Sequence, residues 1–193
     1  THSLLKNHLK MNKMQEIRIE KVTLNIGTGG PGEKLDKAVK LLNLITGLKA
    51  VQTKTMKRIP DWGVRPNLVI ACKVTVRGKK TYSLLDNLLK AVNNTLDASK
   101  FDKYGNFSFG VDEYINIPSV EYDVDIGILG LDVAVTLERP GFRIKRRRLK
   151  ARKIPSKNRI SKQEAIEFIK KEFDTKVGEE KWQQAIIVRH LNS

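Results

Sequence analysis

Ile17-Arg18-Ile19-Glu20-Lys21-Val22-Thr23-Leu24-Asn25-Ile26 is the stretch on which the fold class turns. Val22, Leu24 and Ile26 alternate with polar Thr23 and Asn25, the two-residue period of a half-buried strand. A strand with one polar face fits an antiparallel or mixed sheet better than a parallel sheet buried on both sides. Gly27-Thr28-Gly29-Gly30-Pro31-Gly32 breaks the strand. A helix then follows, with Glu33 and Asp36 favouring its first turn and Leu35, Val39, Leu42 and Ile45 on one face. Gly47 is placed to stop it.

Outward from there, Ala50 to Ile59 reads as a strongly basic strand and Pro60 to Asn67 as a loop punctuated by Pro60, Gly63 and Pro66. Leu68 to Val76 is a further strand. Arg77-Gly78-Lys79-Lys80 turns into a second helix, whose Leu84, Leu85, Leu88, Leu89 and Val92 recur at helical spacing out to about Leu96. Strand-like runs follow at Phe107 to Val111, Tyr114 to Ile117 and Leu131 to Leu137. The last points Leu131, Val133, Val135 and Leu137 inward. Arg139-Pro140-Gly141 opens a basic loop over 139–159. Ser161-Lys162-Gln163-Glu164 is a capping box that starts a final helix to Phe173, burying Ala165, Ile166, Ile169 and Phe173. The expected class is α+β in a single domain: a basic N-terminal arm over 1–16, a folded body over 17–177 and a tail over 178–193.

The net charge of +16 is concentrated. Lys49 to Lys80 holds nine Lys/Arg against Asp61 alone, and Arg143 to Arg159 holds ten with no acid. Subtracting these balances, +8 and +10, leaves −2 for the rest of the chain. Two cationic patches on an otherwise near-neutral body are the footprint expected of a polyanion partner. The ten cations of the second patch are Arg143, Lys145, Arg146, Arg147, Arg148, Lys150, Arg152, Lys153, Lys157 and Arg159. Ten like charges repel one another, which argues against a merely solvated run. Ile144, Leu149 and Ile154 make a poor amphipathic helix for a membrane surface. An RNA phosphate clamp, ordered by the RNA, is the preferred reading.

Other chemistries fit less well. Gly27 and Gly32 have P-loop spacing, but Glu33 precedes Lys34 and Leu35 replaces the hydroxyl that would hold a metal. Gly27, Gly29 and Gly32 also match a dinucleotide motif by spacing, without the ribose-binding acid that should follow. Asp123, Asp125 and Asp132 match no metal loop. Cys72 lies in an apolar run, and the histidines, His2, His8 and His190, are all near the ends of the chain. A buried, inert thiol is therefore expected rather than a nucleophile. No enzyme activity, cofactor or metal is expected. No stretch reaches the ~20 apolar residues of a membrane span, so the expectation is a soluble intracellular protein without a membrane partner.

Four motifs occur in an order that resembles one family. They are Glu20-Lys21-Val22-Thr23-Leu24-Asn25-Ile26-Gly27, Lys73-Val74-Thr75-Val76-Arg77-Gly78, Phe101-Asp102-Lys103-Tyr104-Gly105-Asn106-Phe107-Ser108-Phe109-Gly110 and Gly127-Ile128-Leu129-Gly130-Leu131-Asp132-Val133. Together they resemble the universal large-subunit ribosomal protein number five family, over about Arg18 to Val177. Arg139-Pro140-Gly141-Phe142 through Ile154-Pro155-Ser156-Lys157 is similar to its archaeal and eukaryotic branch, since the bacterial form lacks so long a basic insertion.

The resemblance implies a twisted antiparallel sheet packed against helices on one face. It also implies non-enzymatic binding of 5S rRNA at the central protuberance of a cytoplasmic ribosome. Asn25 and Thr75 match the family's RNA-recognising positions, with Thr53 and Arg77 beside them and Lys54, Lys57 and Arg58 supporting phosphate contacts. Leu48 stands where the family has Gln, and Gln52 or Thr53 could take over that contact. Val64-Arg65-Pro66-Asn67-Leu68 matches the loop that reaches the elbow of the peptidyl-site tRNA, with Asn67 in place of Gly and Val69 in place of Pro. Further implied partners are the remaining large-subunit rRNA, neighbouring central-protuberance proteins and small-subunit bridge proteins.

Overall fold

A computed structural model describes residues 12–178; the expected tail after Gly178 and most of the N-terminal arm lie outside the described residues. Its strands and helices, in chain order, are β1 (Arg18–Gly27), α1 (Glu33–Thr46), β2 (Val51–Lys54), β3 (Val69–Val76), α2 (Lys80–Ala91), β4 (Thr95–Asp97), β5 (Phe107–Val111), β6 (Leu131–Glu138), α3 (Arg143–Arg146), α4 (Lys162–Phe173) and β7 (Lys176–Gly178). Five strands form one antiparallel sheet in the order β2-β3-β1-β6-β5. β4 and β7 make a small parallel pair. The α+β expectation holds.

The alternation of β1 is what splits the sheet into two faces. Val22, Leu24 and Ile26 are buried, together with Cys72, Val74 and Val76 of β3 and Leu131, Val133, Val135 and Leu137 of β6. α1 lies against β3 and α2 against β1, and their buried leucines complete one continuous core. The inner face of α1 is Leu35, Ala38, Leu41 and Leu42, with the expected Val39 and Ile45 only half-buried at its margins. Gly47 ends α1 in the left-handed region (φ 64°) and donates to the Asn43 carbonyl at 2.8 Å. The Asn43 side chain accepts from the Ala50 N–H at 2.7 Å, which ties the helix end to the start of β2.

Three sequence expectations change. The basic strand expected over Ala50 to Ile59 shortens to Val51–Lys54. A bulge at Thr53/Lys54 shifts the register, and the Thr55 hydroxyl then accepts from the Lys57 N–H at 3.2 Å, turning the chain out of the ladder. The second helix stops at Ala91 rather than near Leu96, because Asn93 and Asn94 take left-handed conformations (φ 54° and 51°) that a right-handed helix cannot continue through. Leu96 is buried instead from β4. Tyr114 to Ile117 is a 3-10 turn over Tyr114–Asn116, not a strand. Tyr114 and Ile117 are both buried three residues apart, a turn period rather than a strand period. The capping box is present as expected, with Ser161 and Glu164 bonded reciprocally at the start of α4.

Candidate nucleic-acid interface

The sheet face opposite α1 and α2 carries the other half of each alternation. On β1 it presents Thr23 and Asn25. Residues directly opposite in an antiparallel ladder point to one face, so the register assembles rows across the sheet. Lys73, Asn25, Asp132 and Gly110 form one row, and Thr75, Thr23, Ala134 and Ser108 the next. The row centres are polar and short-chained, so a broad surface can approach the backbone closely. Among the expected contact residues, Asn25 and Thr75 are diagonal neighbours on this face. Thr53 joins them at the β2 edge opposite Ala71, though its hydroxyl donates to the Ala71 carbonyl at 3.0 Å. Gln52 does not join them. It stands opposite Cys72 and so belongs to the helix-covered side, at the exposed edge.

Lys54 is exposed opposite Val69, and Lys57 and Arg58 are exposed in the loop beyond. That loop is pinned by paired bonds between Ile59 and Val64 at 3.0 Å, and Val64 is buried. Of the segment expected to reach tRNA, Arg65, Pro66 and Asn67 are therefore the exposed part, with Leu68 half-buried. Asn67 takes φ 66°, a left-handed conformation that Asn tolerates in place of Gly. Two neighbours escaped the sequence reading: Met56 is 84% exposed and Trp62 76% exposed. A tryptophan set between Pro60, Gly63 and Pro66, where nothing can bury it, was the available signal.

The basic loop is anchored to the sheet by acids. Glu20 accepts from Arg77 at 3.0 Å and from Arg146 at 2.8 Å. Glu138 accepts from Arg18 at 2.7 Å and also from Arg146. Both carboxylates are well buried, whereas the three guanidinium groups are about half exposed. Arg146 is the one member of the ten-cation run in an ion pair among the described residues, so nine charges stay available on the surface. All ten side chains are exposed, Arg143, Lys145, Arg147, Arg148, Lys150, Arg152, Lys153, Lys157 and Arg159 included. Behind the loop, Arg139 donates to Glu164 at 2.8 Å and to the Arg159 carbonyl at 3.4 Å. Burial disfavours the ionised Glu164 carboxylate, but the bond from the Ser161 backbone and the Arg139 guanidinium outweigh it, holding its pKa below the usual carboxylate range.

Among the described residues, nothing resembles a reaction centre. Cys72 is fully buried, and burial pushes its thiol pKa up, away from the thiolate that a nucleophile needs. Asp123 and Asp125 are exposed turn residues, the Asp123 N–H donating to the buried Tyr114 hydroxyl at 3.1 Å. Among the described residues, no group of His, Cys, Asp and Glu could hold a metal ion, and no helix is long and apolar enough to cross a membrane.

Among the described residues, the structure is a one-sided antiparallel sheet with an uncovered hydroxyl-rich face, flanked by a cationic loop. Comparison with known proteins identifies its family. Residues 12–65 match the model for ribosomal protein L5, and residues 69–168 match that for the ribosomal L5P family C-terminus. "Large ribosomal subunit protein uL5" of Sulfurisphaera tokodaii is 49% identical over 88% of this chain and 96% of its own length. The proteins of that name from Nanoarchaeum equitans and Methanosphaera stadtmanae are 50% and 46% identical, over 85% and 86% of this chain and 97% and 99% of theirs. The chain belongs to the ribosomal protein L5 family. Its relatives are structural proteins of the large ribosomal subunit, not enzymes.

Proposed function

We propose that this protein is a structural constituent of the large ribosomal subunit that binds 5S rRNA through its uncovered sheet face and holds it at the central protuberance. The observation that carries the reading is the placement of Asn25 and Thr75 as diagonal neighbours on the face that, among the described residues, no helix covers. A-form RNA has a wide, shallow minor groove lined by 2′-hydroxyls, and a flat face of Asn, Thr and Ser beside Ala and Gly suits it in shape and in hydrogen bonding. Lys73, Lys54 and Arg77 at one side supply phosphate contacts, which position rather than specify. The basic loop takes adjacent large-subunit rRNA. The 64–68 tip, with Trp62 beside it, extends to the elbow of the peptidyl-site tRNA. Neighbouring central-protuberance and small-subunit bridge proteins complete the surroundings in the cytoplasmic ribosome.

The test is equilibrium binding of the purified full chain to a 5S rRNA transcript across a salt series. With ~6–10 phosphate contacts, affinity should fall ~10³–10⁵-fold between about 50 and about 200 mM salt. A salt-independent or undetectable interaction would refute the proposal.

A further inference from the structure

Where the basic loop folds back toward the start of β1 and the end of β6, it encloses an open cavity of about 730 Å³. Apolar Leu137, Ile154 and Ile160 contribute to the lining, and Arg152, Lys153 and Arg159 stand along the loop side. Its one acid, Glu20, is already neutralised by Arg77 and Arg146. Tyr104 also lines the cavity, with 48% of its surface exposed. Its backbone is held firmly, because the Tyr104 N–H donates to the Asp102 carboxylate and Gly105 follows at φ 78°. The Lys103 ammonium lies 5.2 Å from the ring centroid and the Arg159 guanidinium 6.0 Å from it.

An exposed aromatic ring, a facing guanidinium, a partly apolar floor and a cationic rim are the elements that take up an unstacked base with its flanking phosphates. The volume lies in the ~300–1,000 Å³ range of small-ligand sites, which is too small for a duplex. We propose that this cavity receives one unpaired nucleotide of a structured RNA, with Tyr104 and Arg159 sandwiching the base and Arg152 and Lys153 holding the adjoining phosphates. A sandwich needs about 6.8 Å, twice the ~3.4 Å spacing of stacked bases, so the guanidinium, 6.0 Å from the ring centroid, must swing outward by about an ångström or more to admit the base. The site lies at one end of the same sheet face, where Lys21, Thr136 and Asn106 follow Thr23, Ala134 and Ser108; it uses neither Asn25 nor Thr75, and it rests on the reading of this chain as an RNA binder.

The experiment compares the full chain on two RNA hairpins, one fully paired and one carrying a single bulged 2-aminopurine. Parent protein should prefer the bulged hairpin by on the order of tenfold and quench its fluorescence on binding, as stacking does. Tyr104→Ala should abolish both effects with an unchanged thermal midpoint, while Tyr104→Phe retains them. Adenosine monophosphate should not displace the hairpin; displacement would mean a free-nucleotide site and overturn the proposal. Equal affinity of the parent for the two hairpins, or full quenching by Tyr104→Ala, also overturns it. If 5S rRNA still binds in that case, the reading of the sheet face stands. Failure to bind any of the three RNAs would defeat both.

Discussion

Asn25 on β1 stands directly opposite Lys73 on β3, with Asp132 of β6 on its other side. The amide is thus flanked by one positive and one negative side chain, and the middle of the open face is close to neutral. Charge is concentrated at the margins, in the basic loop and the β2–β3 hairpin. That division suits a surface whose margins attract phosphate while its centre reads shape and hydroxyls.

Asn25→Ala and Thr75→Ala are each expected to weaken 5S rRNA binding by about tenfold, or about 1.4 kcal/mol, the loss of one hydrogen-bonding side chain. Neither side chain is part of the core, so the thermal midpoint should hold. Binding isotherms and melting curves on the same preparations check this. Parent-like affinity in both variants would show that these positions do not recognise the RNA.

Glu138→Gln is expected to loosen the basic loop. The carboxylate is buried and receives Arg18 and Arg146, but both guanidinium groups are half exposed. The cost should therefore be about 1 kcal/mol, short of the ~3–5 kcal/mol of a wholly buried pair. Urea unfolding gives the stability change, and limited trypsin digestion should cut faster within Arg147–Lys153. Unchanged cleavage would mean that the Glu138–Arg146 pair does not anchor the loop.

Ser161 and Glu164 should give α4 a pH-dependent contribution. Glu164 has a folded pKa below its unfolded one, so its stabilisation is complete above the ordinary carboxylate range and fades as pH falls through the lowered value. Relative to parent, Glu164→Gln should be destabilised near neutral pH, and the gap should narrow on acidification through and below the ordinary carboxylate range. Ser161→Ala should cost about 1 kcal/mol through the lost cap. A gap that widens in acid would contradict this sign.

Gly130→Ala should destabilise the protein by about 1–3 kcal/mol. A Cβ at this position would sit 2.7 Å from the Asp112 carbonyl oxygen and 3.1 Å from that of Val111, and backbone cannot move aside as a side chain can. Gly30→Ala, with nothing within 4 Å of its Cβ, should be near neutral. Equal midpoints for the two variants in chemical denaturation would count against this packing.

Much of the body was legible in the sequence because its signals are local. The alternation of Val22, Leu24 and Ile26 required a two-faced strand, Gly47 a helix stop, and Ser161 with Glu164 a helix start. The motif order identified the family before any contact was known, and the ten-cation run gave the expectation of a polyanion partner. The misreadings were local competitions. Thr55 offered the backbone a hydroxyl in place of a ladder partner, and Asn93 and Asn94 accepted left-handed angles where helical periodicity alone would have continued.

Tertiary structure alone decided which side chains meet. Nothing within the run from Arg143 to Arg159 announces that Arg146 bonds to Glu20, 126 residues away, or that Tyr104 faces Arg159 across a cavity. Nor does the run around Gln52 show that Gln52, rather than Thr53, takes the helix side of the sheet. Periodicity along a chain reports which face a residue takes within its own element. Strand register and loop closure bring distant residues together, and those follow from the packing of the whole core.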